Sequence, residues 1–124
     1  MSREMLVIED EDGVQKYLRR VFGQEYSMTV VSNMDEGLSL LNAANTFDFV
    51  ITDGMPNGID VAVRCRKDRR PFIIHSGTNW EYFHAQCVDR DINPEEILPF
   101  FVQNPATLVE LRARVQAAID AVRR

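Results

Sequence analysis

Short apolar runs alternate along the chain with longer stretches in which apolar residues return every three or four positions. Runs such as Met5-Leu6-Val7-Ile8 and Phe49-Val50-Ile51 suit strands covered on both faces. Val14, Tyr17, Leu18, Val21 and Phe22 instead fall on one side of a helix. The pattern predicts strands near 4–9, 28–32, 48–53, 71–76 and 97–103, and helices near 13–23, 34–44, 58–68, 79–90 and 106–122. In the last helix Leu108, Leu111, Val115, Ala118, Ile119 and Val122 form the predicted buried face, and Asn33 is the predicted N-cap of the second, with Glu36 as its capping-box partner. Strictly alternating strands and helices of this kind build an α/β fold, a doubly wound parallel sheet with helices on both faces. Neither a linker, an internal repeat nor a low-complexity segment interrupts the pattern, so residues 1–124 are expected to form one domain with no separate output domain.

Two of the predicted strands end in acids: Glu9 and Asp10 follow the first, and Asp53 follows the third. In an open parallel sheet the carboxyl ends of neighbouring strands lie together, and ligands bind in the crevice outside them. Carboxylates crowded there repel one another and raise one another's pKa unless a cation joins them. An all-oxygen ligand set favours a hard cation, magnesium before calcium where the site keeps waters or a phosphate.

Composition narrows the partners. The 124 residues are 45% hydrophobic and 27% charged, a globular balance, and the net charge of −5 argues against nucleic acid, whose binding rests on neutralising phosphates. Cys65 and Cys87 stand apart, with no Cys-x-x-Cys or His/Cys cluster, so free thiols are expected. Met1-Ser2-Arg3-Glu4 leaves no room for a signal peptide before the first strand, and no apolar stretch approaches a membrane span, so a cytoplasmic location and no membrane partner are expected. Basic residues crowd Arg64 to Arg70; at the end of the third helix they complement its dipole and are read as a solvated face. His75 and His84 are read as packing residues, and Trp80, four residues after Ser76, is placed near the mouth of the crevice.

Several segments together resemble the receiver domain of two-component response regulators, the single-domain chemotaxis type in particular. They are Val7-Ile8-Glu9-Asp10, Phe47-Asp48-Phe49-Val50-Ile51-Thr52-Asp53, Met55-Pro56, Ile73-Ile74-His75-Ser76-Gly77 and Asn104-Pro105, in the family's order over the whole chain. The resemblance implies a (βα)5 flavodoxin-like fold of strand order 2-1-3-4-5. It implies Asp53 as phosphoacceptor, Ser76 as switch hydroxyl and Phe101 as switch aromatic. It also implies Mg2+ held by Glu9, Asp10, Asp53 and the Met55 backbone carbonyl. The implied partners are a sensor histidine kinase or histidine phosphotransfer protein upstream and a protein downstream; a homodimer is compatible with it. The implied role is that of a stand-alone phosphoacceptor, not an enzyme beyond self-catalysed phosphotransfer and dephosphorylation.

The chain departs from the family's pattern in three places. The lysine expected before the proline is Asn104. An ammonium about 4 Å from a phosphoryl oxygen gains about 4 kcal/mol at an effective dielectric of about 20, against roughly 1 kcal/mol net for an amide hydrogen bond. A cis Asn104-Pro105 bond is implied by the same resemblance. Gly54 alone, where the family usually has two residues, separates Asp53 from Met55-Pro56. Finally, the span from Asp53 to Ser76 is short and that from Ser76 to Asn104 long, which predicts a short third helix and an extended connection through Asp89-Arg90-Asp91-Ile92-Asn93-Pro94. These departures keep open an alternative, a degenerate receiver acting as an interaction module with weak or no phospho-switching. A metal-dependent phosphohydrolase or mononucleotide binder is the remaining reading; against it, no glycine-rich phosphate loop follows the first strand, where Glu11-Asp12 would repel a phosphate.

Overall fold

Odd and even residues of the strands part company, and that division builds the molecule. The computed structural model describes residues 3–43, 46–54, 58–104 and 106–123. Strands β1 (Arg3–Ile8), β2 (Tyr26–Val31), β3 (Phe49–Thr52), β4 (Phe72–Ser76) and β5 (Phe101–Gln103) form one sheet of order β2-β1-β3-β4-β5, every pairing parallel. Because side chains alternate across a strand, Met5, Val7, Phe49, Ile51, Ile73 and Val102 enter one core, with Leu18, Val21 and Phe22 of α1 (Asp12–Phe22) and Leu111, Val115 and Ala118 of α6 (Leu108–Arg123). Leu6, Ile8, Val50, Phe72, Ile74 and Phe101 enter the other. There they meet Leu41 of α2 (Met34–Ala43), Val61, Ala62 and Cys65 of α3 (Gly58–Lys67), and Phe83 and Cys87 of α4 (Trp80–Asp89). Both cysteines are free and buried.

Caps fix the helix starts. The Glu36 amide donates to Asn33 Oδ1 at 2.8 Å, as the sequence predicts, and the Tyr82 amide donates to Asn79 Oδ1 at 3.0 Å ahead of α4. A capping box absent from the sequence reading opens α6: the Glu110 amide donates to Thr107 Oγ1 at 3.1 Å, and the Thr107 amide to Glu110 Oε1 at 3.4 Å. α6 therefore begins at Leu108, whose side chain is exposed and not part of the buried face.

The fifth strand is the main correction. A strand over 97–103 was expected, but α5 (Pro94–Ile97) and a 3-10 turn (Leu98–Phe100) occupy most of that span and β5 starts only at Phe101. Asn93 accepts the Glu95 amide at 3.1 Å, Pro94 sits at the first helical position, and Pro99 has no amide to give a sheet ladder. β2 also starts earlier, at Tyr26, paired with Arg3 of β1. Of the connection expected through Asp89–Pro94, only residues 90–93 lie between helices, since Asp89 closes α4 and Pro94 opens α5; α3 is ten residues long, the same as α2 and α4.

Candidate functional site

The ladder runs one residue past the strands and so positions the acids. Pairing of Ile8 with Thr52 places the residues that follow β1 and β3 side by side. The Glu9 amide donates to the Val31 carbonyl at 2.9 Å, the Asp53 amide to the Ile8 carbonyl at 2.8 Å, and the Asn104 amide to the Ser76 carbonyl at 2.7 Å. Each of these residues is thus fixed at the carboxyl end of the sheet by its neighbouring strand.

Glu9, Asp10 and Asp53 each offer a carboxylate oxygen within 4.8 Å of the others. Glu9 is buried, Asp53 half-buried and Asp10 exposed. Burial of Glu9, with the charges of Asp53 and Asp10 added, pushes its pKa up to about 7 from an ordinary 4.5, although the Glu11 amide donates to Glu9 Oε2 at 3.2 Å and lowers it in part. A divalent cation would offset that repulsion, and three converging oxygens suit a hard ion. The group can hold such an ion. Gln15 braces the same turn, its Nε2 donating to the Glu9 carbonyl at 2.5 Å. Sequence reasoning passed over Gln15, whose signal is only that it lies one helical turn past Glu11 at the opening of α1.

On the other side of Asp53 the chain turns sharply. The Gly54 amide donates to Asp53 Oδ1 at 2.7 Å, and the Gly58 amide to the Gly54 carbonyl at 3.2 Å. A β-carbon at Gly54 would stand 2.5 Å from Ser76 Oγ, and one at Gly58 would stand 2.5 Å from the Asp53 carbonyl oxygen. Glycine at both positions is what lets Gly54 lie against Ser76 and Gly58 against the Asp53 carbonyl. Ser76 is fully buried, its Oγ accepting the Thr78 amide at 3.0 Å. Met55, expected to supply a carbonyl ligand, lies outside the described residues, as do Pro56 and Pro105.

Phe101 pairs in register with Ile74 and turns into the core below α4, 5.2 Å from Trp80 and 5.3 Å from Phe83 between ring centroids. Trp80 is half-buried and also meets His84 edge-on at 6.0 Å. The structure therefore brings Glu9, Asp10 and Asp53 together, sets Gly54 against Ser76 and ties Asn104 to Ser76 by its backbone. It groups Phe101 with α4 and not with the acids.

No protein-family model matches the chain, and no curated protein matches it. Solved structures do. The chain superimposes on a response regulator receiver protein from Sinorhizobium medicae WSM419 over 98% of its own length and 97% of the other's, with TM-score 0.77 and 20% identity. The fold is a receiver-domain fold. A CheY-like receiver domain protein from Methanospirillum hungatei JF-1 matches over 99% and 98%, with TM-score 0.77 and 12% identity. A Burkholderia pseudomallei response regulator, solved with a phosphorylated aspartic acid, a calcium ion and citrate, matches 98% of this chain and 71% of its own, with TM-score 0.68 and 21% identity. Receiver-domain likeness thus extends from end to end of the chain while sequence identity stays low.

Proposed function

We propose that the chain is a phosphoacceptor of two-component signalling: Asp53 takes a phosphoryl group from a phosphohistidine of a kinase or phosphotransfer protein. The observation that carries this reading is the convergence of Glu9, Asp10 and Asp53 at the carboxyl ends of adjacent strands of a receiver fold. An Asp53 carboxylate oxygen forms the new bond to phosphorus as the P–N bond to the imidazole breaks, and the imidazole leaves after gaining a proton. Glu9, Asp10 and Asp53 would hold Mg2+, which supplies neutralisation of the charge gathering on the phosphoryl oxygens. The Burkholderia neighbour, solved with a phosphorylated aspartic acid and a calcium ion, supports a phosphoaspartate reading for this fold.

Asn104, half-buried beside Ser76, offers a hydrogen bond where the family offers a charge, so the acyl phosphate is held chiefly from the metal side. The output is a change in protein contacts, made in the cytoplasm. Among the described residues no helix is long and apolar enough to cross a membrane.

The test adds magnesium and then beryllofluoride while following Trp80 fluorescence and the amide spectrum. Responses to both, lost in Asp53→Asn, are expected. Magnesium binding with no further response to the mimic would replace this reading with the interaction module that has lost its switch. Turnover of a small phosphate ester beyond one equivalent would replace it with an enzyme.

A further inference from the structure

One side chain ties α1 to the turn that carries two of the acids. Gln15 stands three residues before Leu18 and seven before Phe22, both buried, so it continues their sheet-facing stripe to the end of the helix that meets the crevice. A half-buried amide takes the place where that stripe reaches the strand-end acids. There the sheet ladder stops. The Glu9 amide still bonds the Val31 carbonyl at 2.9 Å, whereas the Glu9 carbonyl is taken by Gln15 Nε2 at 2.5 Å.

Gln15 grips the chain a second time. Its backbone amide donates to the Glu11 carbonyl at 3.0 Å, the bond that opens a helix whose N-cap, Glu11, makes no side-chain capping bond among the described residues. One residue thus holds the peptide groups on both sides of Asp10 and Glu11, the first by its side chain and the second by its backbone. Asp10, exposed, is set between them. The Glu11 amide, inside the same grip, donates to Glu9 Oε2 at 3.2 Å and so orients that carboxylate.

Glu9, Asp10 and Asp53, with oxygens within 4.8 Å of one another, repel, and the turn from Glu9 to Glu11 would open in answer unless its backbone were held. A neutral amide holds it without bringing a charge that would compete with a cation, as an ammonium or guanidinium would. Lys16, next in sequence, is instead paired with Asp12 at 2.9 Å on the exposed side of the helix.

We propose that Gln15 is a positioning residue of the cation site, fixing the Glu9–Asp10 peptide so that both carboxylates converge with Asp53 before the ion arrives. This rests on the reading of the three acids as a magnesium site. The effect is preorganisation: without the Gln15 bond the ion itself must gather the turn, and affinity falls.

The test compares magnesium binding by the full chain and two variants. It follows the amide resonance of Gly54, which donates to Asp53 Oδ1, and the thermal midpoint with and without the ion. Gln15→Met keeps the side chain's length and helix propensity but has no donor. Its dissociation constant for magnesium should be about tenfold higher, and the rise in thermal midpoint on adding magnesium smaller. Tyr17→Phe removes a different bond of the same helix, from the Tyr17 hydroxyl to the Ala106 carbonyl at 3.0 Å. It should lower the metal-free midpoint and leave magnesium affinity unchanged, which separates positioning from helix stability. Undiminished affinity in Gln15→Met would overturn the proposal and leave Asp53 standing as phosphoacceptor. A Tyr17→Phe chain weakened toward magnesium as much as Gln15→Met would overturn it too. An unaltered chain that binds no magnesium would overturn it together with the metal reading on which it rests.

Discussion

At Gly54 one missing side chain decides whether the shortened loop can close. A methyl group there would meet Ser76 Oγ at 2.5 Å and Ser76 Cβ at 2.8 Å, and the Cβ is held in place by a central strand. Gly54→Ala should therefore cost about 1–3 kcal/mol in denaturant unfolding, and Ser76→Gly in the same chain should recover part of the loss by removing both atoms. Glu9 makes a different prediction. Its folded pKa is raised, to about 7 from 4.5, chiefly by burial and then by Asp53 and Asp10. The folded state thus holds the Glu9 proton more tightly than the unfolded chain does. Glu9's contribution is fully present below 4.5 and is lost as pH rises through about 7. Chemical unfolding across that range without divalent cation should show the decline, and magnesium should flatten it. A decline unaffected by magnesium would count against the metal site. Of these residues the acids were legible in the sequence, because carboxylates after apolar runs are conspicuous. The contact of Gly54 with Ser76 was not, since it joins residues from two separate loops.

Among the elements, the first four strands and the helices packed on them follow from apolar periodicity, and the fifth unit does not. Residues 97–103 read as a strand because Ile97, Leu98, Phe100, Phe101 and Val102 are apolar, yet Pro94 and Pro99 divide them into a helical turn, a 3-10 turn and a three-residue strand. Hydrophobicity reports burial, and here burial is reached by Ile97 and Phe101 from elements of different kind. α6 depends on its capping box. Thr107→Ala removes the acceptor of the Glu110 amide and should lower stability by about 1 kcal/mol, read as a shift in the denaturant midpoint at constant slope. A normal midpoint would mean that packing of Leu111, Val115 and Ala118 alone fixes the start of the helix.

For the whole molecule, His75 brings a pH dependence opposite in sign to that of Glu9. It lies in β4 between β3 and β5, is 1% exposed, and neither ring nitrogen has a hydrogen-bond partner among the described residues. Burial lowers its pKa from the ordinary 6.5, so the folded state keeps it neutral where the unfolded chain would protonate it. Its contribution is therefore intact above 6.5 and lost as pH falls below it. Without metal, the two residues act in opposite directions below 6.5, Glu9 favouring the lower pH and His75 the higher, and above 6.5 only the decline through Glu9 remains. His75→Leu should remove the acid-side decline arising from this residue, measured by unfolding at stepped pH. The sequence by itself determined the sheet's composition, its doubly wound class and the acids at the strand ends, because period and strand-end position are local properties of a chain. Only the tertiary structure decided that Gly54 lies against Ser76 and that Phe101 joins α4. Each depends on segments distant in sequence meeting at a few ångströms, which periodicity does not encode.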